Sequence, residues 1–407
     1  MSSILLIRPG GSPPEPLDAY TRRGGYQALR SVLAAGDPEA VVRLVSQSGL
    51  RGRGGAGFPT GRKWELALSA RDRPKYVVAN GGEHEPGSRK DRLLMAGYPH
   101  TVLEGIAIAA YATGASMAYL YLIEDMADAL AAVQGAIAAA RTAGHLGERI
   151  YGTEFGLDVK AVVAPATYVA GEETAALEVI EGRKAWPRKK PPFPGEFGLF
   201  GKPTTVNNIE TLAYVPAIVR GVARAGVTML FTLDDRVLHP GVYEVPLGTS
   251  FRRLIYDCGE GPRTGRTIRA ILPALSSRFL PARELDLAMT HERVKEAGSG
   301  LGCGAVSFIE EGECIVERAL EIARFFSREQ CGQCPPCRME TNTLAAVLAQ
   351  VKEGSAGDYA IQIAKIAAFS RGKGFCNLIE MAAAPILSAL DHFPDDFAHH
   401  ARHGRCP

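Results

Sequence analysis

The segment Cys331-Gly-Gln-Cys334-Pro-Pro-Cys337 constrains this chain more than any other. Two-residue gaps let three thiolates converge on one small object. A fourth ligand is needed to complete a cubane. Cys376, in Gly-Lys-Gly-Phe-Cys-Asn-Leu, is the best candidate because it starts a helix that must pack beside the others. A triplet of this spacing with a remote fourth cysteine is the usual arrangement for a [4Fe–4S] cluster. Zinc is the alternative, although structural zinc sites usually use two separated cysteine pairs or add histidine. Cys258, Cys303, Cys314 and Cys406 have no comparable spacing. They read as buried small apolar residues or, at the tail, as an exposed thiol. Cys303 and Cys314 would support a second cluster only with ligands the sequence does not name. Eight cysteines in 407 residues are too sparse for a disulfide scaffold.

A chain of 407 residues exceeds one ordinary core, so two or three domains are expected. Lys and Arg number 46 against 44 Asp and Glu, so no global field draws the protein toward nucleic acid or anionic lipid. The N-terminal apolar stretch ends at Arg8 after four residues, too short for a secretory signal. Residues 105–123 carry no charge, but they change character at Gly114, from a small-residue helix to an alternating strand. This is a poor membrane span. The chain reads as soluble and cytoplasmic, with reduced thiols.

The order of elements predicts an α/β fold. Residues 1–22 read as a Pro-rich N-terminal arm, and 23–225 as an α/β domain. Within it, Gly36-Asp37-Pro38 separates two helices, with Pro38 at a helix start. Strands are expected over 75–80, 116–123 and 157–163, helices over 63–70, 99–112 and 124–142, and a loop over 81–91. Residues 226–312 read as a small α+β domain, in which 239–255 forms a hairpin followed by a helix. Residues 313–395 read as a helical bundle, with helices near 315–326, 338–352, 357–369 and 377–391. Residues 396–407 read as a tail.

Gly52-Arg53-Gly54-Gly55-Ala56-Gly57 fits a dinucleotide-binding glycine pattern formally, but such a match is weak alone. The residues before it read as a helix, so this is not an ordinary Rossmann turn. Its glycines, framed by Arg51, Arg53 and Lys63, still allow close backbone approach to a large anionic ligand. Phe58 can stack on a planar ring or fill the core. The expected strand ending at Asn80 leads into Gly81-Gly82-Glu83-His84-Glu85, where α/β proteins place ligands. Tyr168-Val-Ala-Gly171-Glu172-Glu173 opens a helix, and its carboxylates suit that end even without a ligand. Thr204-Thr205-Val206-Asn207-Asn208 reads as the opening of a third helix. Its asparagines serve as cap or as donors to a phosphate. His84 reads as a loop residue, and the basic run 183–190 as a solvated loop.

Together these segments resemble the NADH-oxidising flavoprotein subunit of respiratory complex I and the diaphorase subunits of NAD-linked formate dehydrogenases and bidirectional hydrogenases. The words that carry the resemblance are SGLRGRGGAGFPTG (48–61), EPGSRKDR (85–92), YVAGEETA (168–175), KPPFP (190–194), GKPTTVNNIETL (201–212) and CGQCPPCR (331–338) with Cys376. They stand in the family's order, and the resemblance runs from about residue 24 to about residue 395.

The resemblance implies an unusual Rossmann-like FMN/NAD domain, a ubiquitin-like (soluble-ligand-binding β-grasp) middle domain and a C-terminal four-helix bundle carrying [4Fe–4S]. Gly54, Gly55, Lys63, Asn80, Tyr168, Asn207 and Asn208 would hold FMN. Phe58, Glu85, Glu172, Glu173, Lys190 and Phe193 would contact NAD(H). Gly52, Arg53, Gly57, Glu83 and Gly171 belong to the same cofactor-binding loops. Cys331, Cys334, Cys337 and Cys376 would ligate the cluster. The implied partners are a thioredoxin-like [2Fe–2S] subunit and a larger iron–sulfur, molybdenum, hydrogenase or complex I subunit. The complex would be cytoplasmic, and peripheral to the inner membrane face only through its partners. Two departures stand out. The family's acidic residue near the flavin is Gly82 here, which predicts a raised flavin potential unless Glu83 or Glu85 fills the place. A family aromatic at the adenine end is Leu66. The function expected is hydride transfer between NAD(H) and FMN, then single-electron transfer through the cluster. The alternatives are a NAD+-reducing diaphorase and, in another class, a non-catalytic cluster-bearing scaffold.

Overall fold

The computed structural model describes residues 3–8, 11–222, 228–355 and 357–406. The expected boundary at 225/226 lies outside them. Helices α1 (Leu17–Arg22), α2 (Gln27–Ala35) and α3 (Pro38–Ser48) come first. Gly36 stops α2 at φ +69°, a left-handed conformation that costs glycine little. Asp37 then caps α3 by accepting the Ala40 N–H, with Pro38 in the first turn. The glycine loop leads into α4 (Thr60–Ser69).

Next follow β1 (Tyr76–Gly81), α5 (Lys90–Gly97), α6 (Pro99–Thr113), β2 (Met117–Ile123), α7 (Ala127–Thr142), β3 (Asp158–Ala164), α8 (Glu173–Ile180), β4 (Thr204–Asn208) and α9 (Ile209–Val219). The four strands form a parallel sheet in the order β3-β2-β1-β4. Its register sets Ala79 beside Asn207 and Asn80 beside Asn208, at the carboxyl ends of the two strands.

Three local expectations change in this part of the chain. The Thr-Thr-Val-Asn-Asn segment is a strand and not a helix opening. Its β-branched residues suit the free edge beside β1, and Asn208 then caps α9 by accepting the Glu210 N–H. Helix α5, unforeseen, begins inside the expected 81–91 loop. The N-terminal arm is docked and not free: α1 lies within it, and the Ile4, Leu5 and Leu6 N–H groups donate to the Glu244 carboxylate at 2.8–2.9 Å. Helix α6 is buried along nearly its whole length. Among the described residues no single helix is long and apolar enough to cross a membrane; only the pair α5–α6, bent by 99°, passes by length and composition.

The middle region has β5 (Thr228–Leu233), β6 (Gly241–Pro246), β7 (Ile268–Leu272), β8 (Leu280–Pro281), α10 (His291–Glu296) and β9 (Ala305–Glu310). The sheet order is β6-β5-β9-β7-β8, with a parallel central pair β5/β9 and antiparallel neighbours. A helical turn at Arg253–Cys258 buries Leu254 and Ile255 against it. This is the β-grasp layout. Residues 239–255 supply one strand and the start of that turn; the hairpin partner of β6 is the upstream β5.

Five helices end the chain: α11 (Ile315–Glu329), α12 (Pro335–Lys352), α13 (Tyr359–Ser370), α14 (Leu378–His392) and α15 (Pro394–His403). The fifth occupies the segment expected to be a tail. It buries Phe397 and His400 against the bundle, which accounts for its order.

Candidate functional site

The glycine loop between α3 and α4 is closed at its base, where the Gly52 N–H donates to Phe58 O at 2.9 Å. A Cβ on Gly54 would stand 3.2 Å from the Asn208 Cβ, so the loop lies directly on the end of β4. Gly55 has φ +120°, and nothing lies within 4 Å of where its Cβ would be. Backbone at that point therefore faces open space. Gly57 also has positive φ, and a Cβ there would press on the His291 ring. Arg53 departs from the expected cofactor contact. Its side chain is 1% exposed, donates to Thr228 O at 3.0 Å and lies 4.0 Å from the Glu210 carboxylate. It locks the loop to α9 and β5.

The loop after β1 is also internally bonded. Asn80 donates to Gly171 O and accepts the Gly82 N–H, both at 3.0 Å. Glu83 accepts the N–H groups of Asp91 (3.1 Å) and Arg92 (2.9 Å), anchoring the start of α5. Burial pushes its carboxyl upward. Glu83 therefore ties the loop to α5. Glu85 accepts the Tyr168 hydroxyl at 2.9 Å and the Leu275 N–H at 2.8 Å, and burial raises it as well. Neither carboxylate has moved into the place left at Gly82. The Tyr121 ring and His84 crowd that place, 2.9 and 3.1 Å from where a Cβ would stand. His84 is no ordinary loop residue: burial pulls its pKa to about 4, and its Nε2 is buried without a hydrogen-bond partner.

The third wall starts α8. Glu172 caps the helix through the Thr174 and Ala175 N–H groups, and its other oxygen takes Lys190 Nζ at 2.9 Å. Glu173 takes Lys190 at 3.1 Å and Lys63 at 3.4 Å, and Lys63 also donates to Val206 O at 2.9 Å. Burial opposes the Glu173 charge, but Lys63 and Lys190 outweigh it and hold the carboxyl below its ordinary value. The basic run is thus only partly solvated. Lys190 joins this network, and Arg188 clamps Glu178 and Glu181. Phe58 and Phe193 stand exposed at 44% and 55%. Leu66, in the position of the missing aromatic, is exposed too.

Asn207 and Asn208 are already engaged. Trp64 Nε1 donates to Asn207 Oδ1 at 2.9 Å. Asn208 donates to Asp91 at 2.6 Å and accepts from Lys90 at 3.3 Å. Beneath them lies a cluster that the residue-by-residue reading missed. Lys90 is fully buried, 3.0 Å from both Asp91 Oδ1 and Glu210 Oε2. Burial disfavours its charge, but Asp91, Glu210 and Glu83 outweigh this and keep it protonated. Adjacent Lys90-Asp91 gave no periodic signal, and buried charges persist only where the fold supplies partners.

The cysteines converge from the other side. The carboxylate of Glu329, at the end of α11, accepts the Tyr168 N–H at 3.0 Å. The rings of Phe325 and Phe326 pack edge-on against Tyr168. Gln333, between two of the cysteines, donates to Pro187 O at 2.9 Å. Burial pushes Cys337 up to about 12 and Cys376 up to about 11, and the other cysteines of the set add to the rise. Cys376, just ahead of α14, also feels the charge of Glu172. The Phe375 N–H, one residue ahead of Cys376, donates to Cys334 Sγ at 3.4 Å, and Cys331, Cys337 and Cys376 pack against the same core, so the four thiols share one neighbourhood. Their sulfurs are not the compact set that one tetrahedral ion draws together; among the described residues that spacing occurs at Cys314, His400 and Cys406. Four thiols gathered in one neighbourhood fit the ligand set of a cubane, and the open backbone over Gly55 at the carboxyl ends of β1 and β4 fits a flavin phosphate.

Comparison with known proteins agrees. Residues 45–217 match the Nuo51 FMN-binding domain, and residues 317–400 the iron–sulfur binding region of NADH-ubiquinone oxidoreductase F. The chain is 41% identical over 403 residues to the F 2 subunit of NADH-quinone oxidoreductase of Rhizobium meliloti, covering 96% of each. It is 36% identical to the HndC subunit of the NADP-reducing hydrogenase of Solidesulfovibrio fructosivorans, covering 97% of this chain and 82% of that one. Its fold matches a chain in the crystal structure of an H2-reduced NAD+-reducing [NiFe]-hydrogenase, with TM-score 0.82 and 29% identity, over 96% of this chain and 67% of that one. The chain belongs to the family of NADH-quinone oxidoreductase F subunits, oxidoreductase subunits that pair an FMN-binding domain with an iron–sulfur region.

Proposed function

We propose that this chain is the NAD(H)-facing subunit of a hetero-oligomeric redox complex. When bound, FMN exchanges a hydride with nicotinamide and gives up electrons one at a time, which a cluster requires. The backbone of Gly52, Gly54, Gly55 and Gly57, with Lys63, is assigned to the flavin phosphate side. Asn80, Tyr168, Gly171, Asn207 and Asn208 shape the wall around the flavin. Phe58 and Phe193 offer ring faces for the nucleotide, while Lys190 pairs with Glu172 and Glu173 beside it. Glu85 positions Tyr168. Cys331, Cys334, Cys337 and Cys376 are assigned to [4Fe–4S]. Hydride transfer needs no acid or base from the chain, so none is assigned.

One observation supports this reading above the others: the contacts Lys63–Glu173–Lys190–Glu172 begin on α4, just after the glycine loop, and the loop that carries Lys190 is bonded at Pro187 O to Gln333, between two of the cluster cysteines. A nucleotide held there sits between the flavin loop and the cluster, which a non-catalytic scaffold would not need. Anaerobic NADH titration of the purified chain tests it. The expected result is bleaching of the flavin spectrum followed by a reduced-cluster EPR signal. A chain that carries FMN and iron yet shows neither would overturn the reading.

The hydrogenase relatives favour a second direction, in which electrons from a partner reduce NAD+. The partners in either case are a thioredoxin-like [2Fe–2S] subunit and a larger redox subunit, on the cytoplasmic side. Affinity capture with the tagged chain and identification of the co-purifying redox subunit separates the two directions.

A further inference from the structure

Away from the cluster cysteines, the opposite end of α11 carries a second set of soft ligands. Cys314 is the N-cap of α11, and its sulfur accepts the Glu317 N–H at 3.2 Å. His400 lies on α15, 4% exposed. Gly404 ends α15 in a left-handed conformation, and the chain turns back so that Cys406 returns to the helix. His400 Nε2 is then 3.2 Å from Cys314 Sγ and 3.3 Å from Cys406 Sγ, and all three atoms lie within 4.8 Å of one another. The other ring nitrogen, Nδ1, is buried without a hydrogen-bond partner.

We propose that Cys314, His400 and Cys406 bind a zinc ion that pins α15 and the end of the chain to α11. Zinc–sulfur bonds of about 2.3 Å and zinc–nitrogen bonds of about 2.0–2.1 Å in a tetrahedron set sulfur–nitrogen edges of about 3.6 Å. The two observed sulfur–nitrogen separations reach that edge with shifts of a few tenths of an ångström, and the two sulfurs lie within 4.8 Å of each other. Two thiolates and a neutral imidazole balance the charge of Zn2+, and the two thiol protons leave to solvent. Water takes the fourth position, since no fourth ligand joins the group among the described residues. An anionic sulfur also suits the helix N-terminus that Cys314 occupies. The 15 residues of α11 put this centre about 22 Å from the cluster end, so it does not depend on the flavin reading. Asp396, beside His400, stays paired with Arg269 at 3.0 Å and tethers α15 from its other end.

The test is elemental analysis of the full-length protein, purified anaerobically with its iron. Stoichiometric zinc is expected beside the cluster iron. His400→Ala and Cys406→Ser should each lose that zinc while keeping the iron content, the cluster EPR signal and the far-UV dichroism. Cobalt(II) exchanged into the wild-type chain should give a thiolate-to-cobalt charge-transfer band that both variants lack. Three results would each overturn the proposal: no zinc and no cobalt band in the wild type, zinc retained in full by both variants, or a Cys314–Cys406 disulfide in the anaerobic protein.

Discussion

Gly82 is a position where the sequence shows a missing charge and the structure shows what surrounds it. The missing acidic residue suggests an electrostatic gap beside the flavin that restoring Asp would close. In the structure the place is filled. A Cβ at residue 82 would lie 2.9 Å from Tyr121, 3.0 Å from Asn80 Oδ1 and 3.1 Å from His84 Nε2. Gly82→Ala is therefore expected to cost about 1–3 kcal/mol through overpacking, seen as a lower urea midpoint and reduced FMN content. A variant as stable as wild type would refute the crowding. The neutral His84 leaves the position uncharged near neutral pH. Burial pulls His84, His100 and His291 each to about 4, against an ordinary 6.5. The unfolded chain takes up these protons below about pH 6.5, while the folded chain resists them. Stability is thus whole above that pH and is lost as pH falls toward 4, by about 1.4 kcal/mol per unit for each histidine. Urea midpoints measured between about pH 7 and pH 5 should fall. His100→Gln, which can keep the bond to the Tyr26 hydroxyl, should flatten the fall.

At the scale of elements, α6 is the post on which the N-terminal helices hang. Glu104 sits on it with no exposure, accepting the Tyr20 hydroxyl from α1 and the Leu29 N–H from α2. Removing the carboxylate leaves both donors buried and unpaired, at about 1–3 kcal/mol each. Glu104→Ala should accordingly lower the unfolding midpoint and speed proteolysis ahead of residue 36, whereas Glu104→Gln should recover part of the loss. Equal loss in both variants would count against the hydrogen-bond account. Most such elements were legible because periodic apolar residues and end signals coincide, as at Gly36-Asp37-Pro38. Strand β4 was not. It is five residues long and runs into α9 without a loop, so its Thr-Thr-Val pattern is legible only once β1 is there to pair with it. Helix α15 was missed because its apolar face is short: Phe397 and His400 gain meaning from α11 and α12. The glycine loop and the cysteine triplet were readable from spacing. The Lys90–Asp91–Glu210 cluster and the Cys314–His400 contact, 86 residues apart, were not, because tertiary structure alone brings those groups together.

At the scale of the whole molecule, the flavin loops and the cluster bundle meet along Tyr168, Glu172 and the loop before Lys190. Changes at the two ends of that seam should separate nucleotide binding from electron exit. Lys190→Ala leaves Glu172 uncompensated and Glu173 with Lys63 alone. The proposed nucleotide site then keeps both carboxylates with half their positive charge gone. The KM for NADH should rise about tenfold, or about 1.4 kcal/mol, with FMN content and the cluster EPR signal unchanged. Cys334→Ser should do the reverse, removing or crippling the EPR signal while NADH still bleaches the flavin. Because the two sites are joined by intervening contacts and not by a shared ligand, the double variant should show both losses, with the KM factor unchanged from the single Lys190 variant. A KM effect that vanishes once the cluster is disrupted would mean that Lys190 acts through the bundle, and the seam would then be one cooperative unit instead of two adjoining sites.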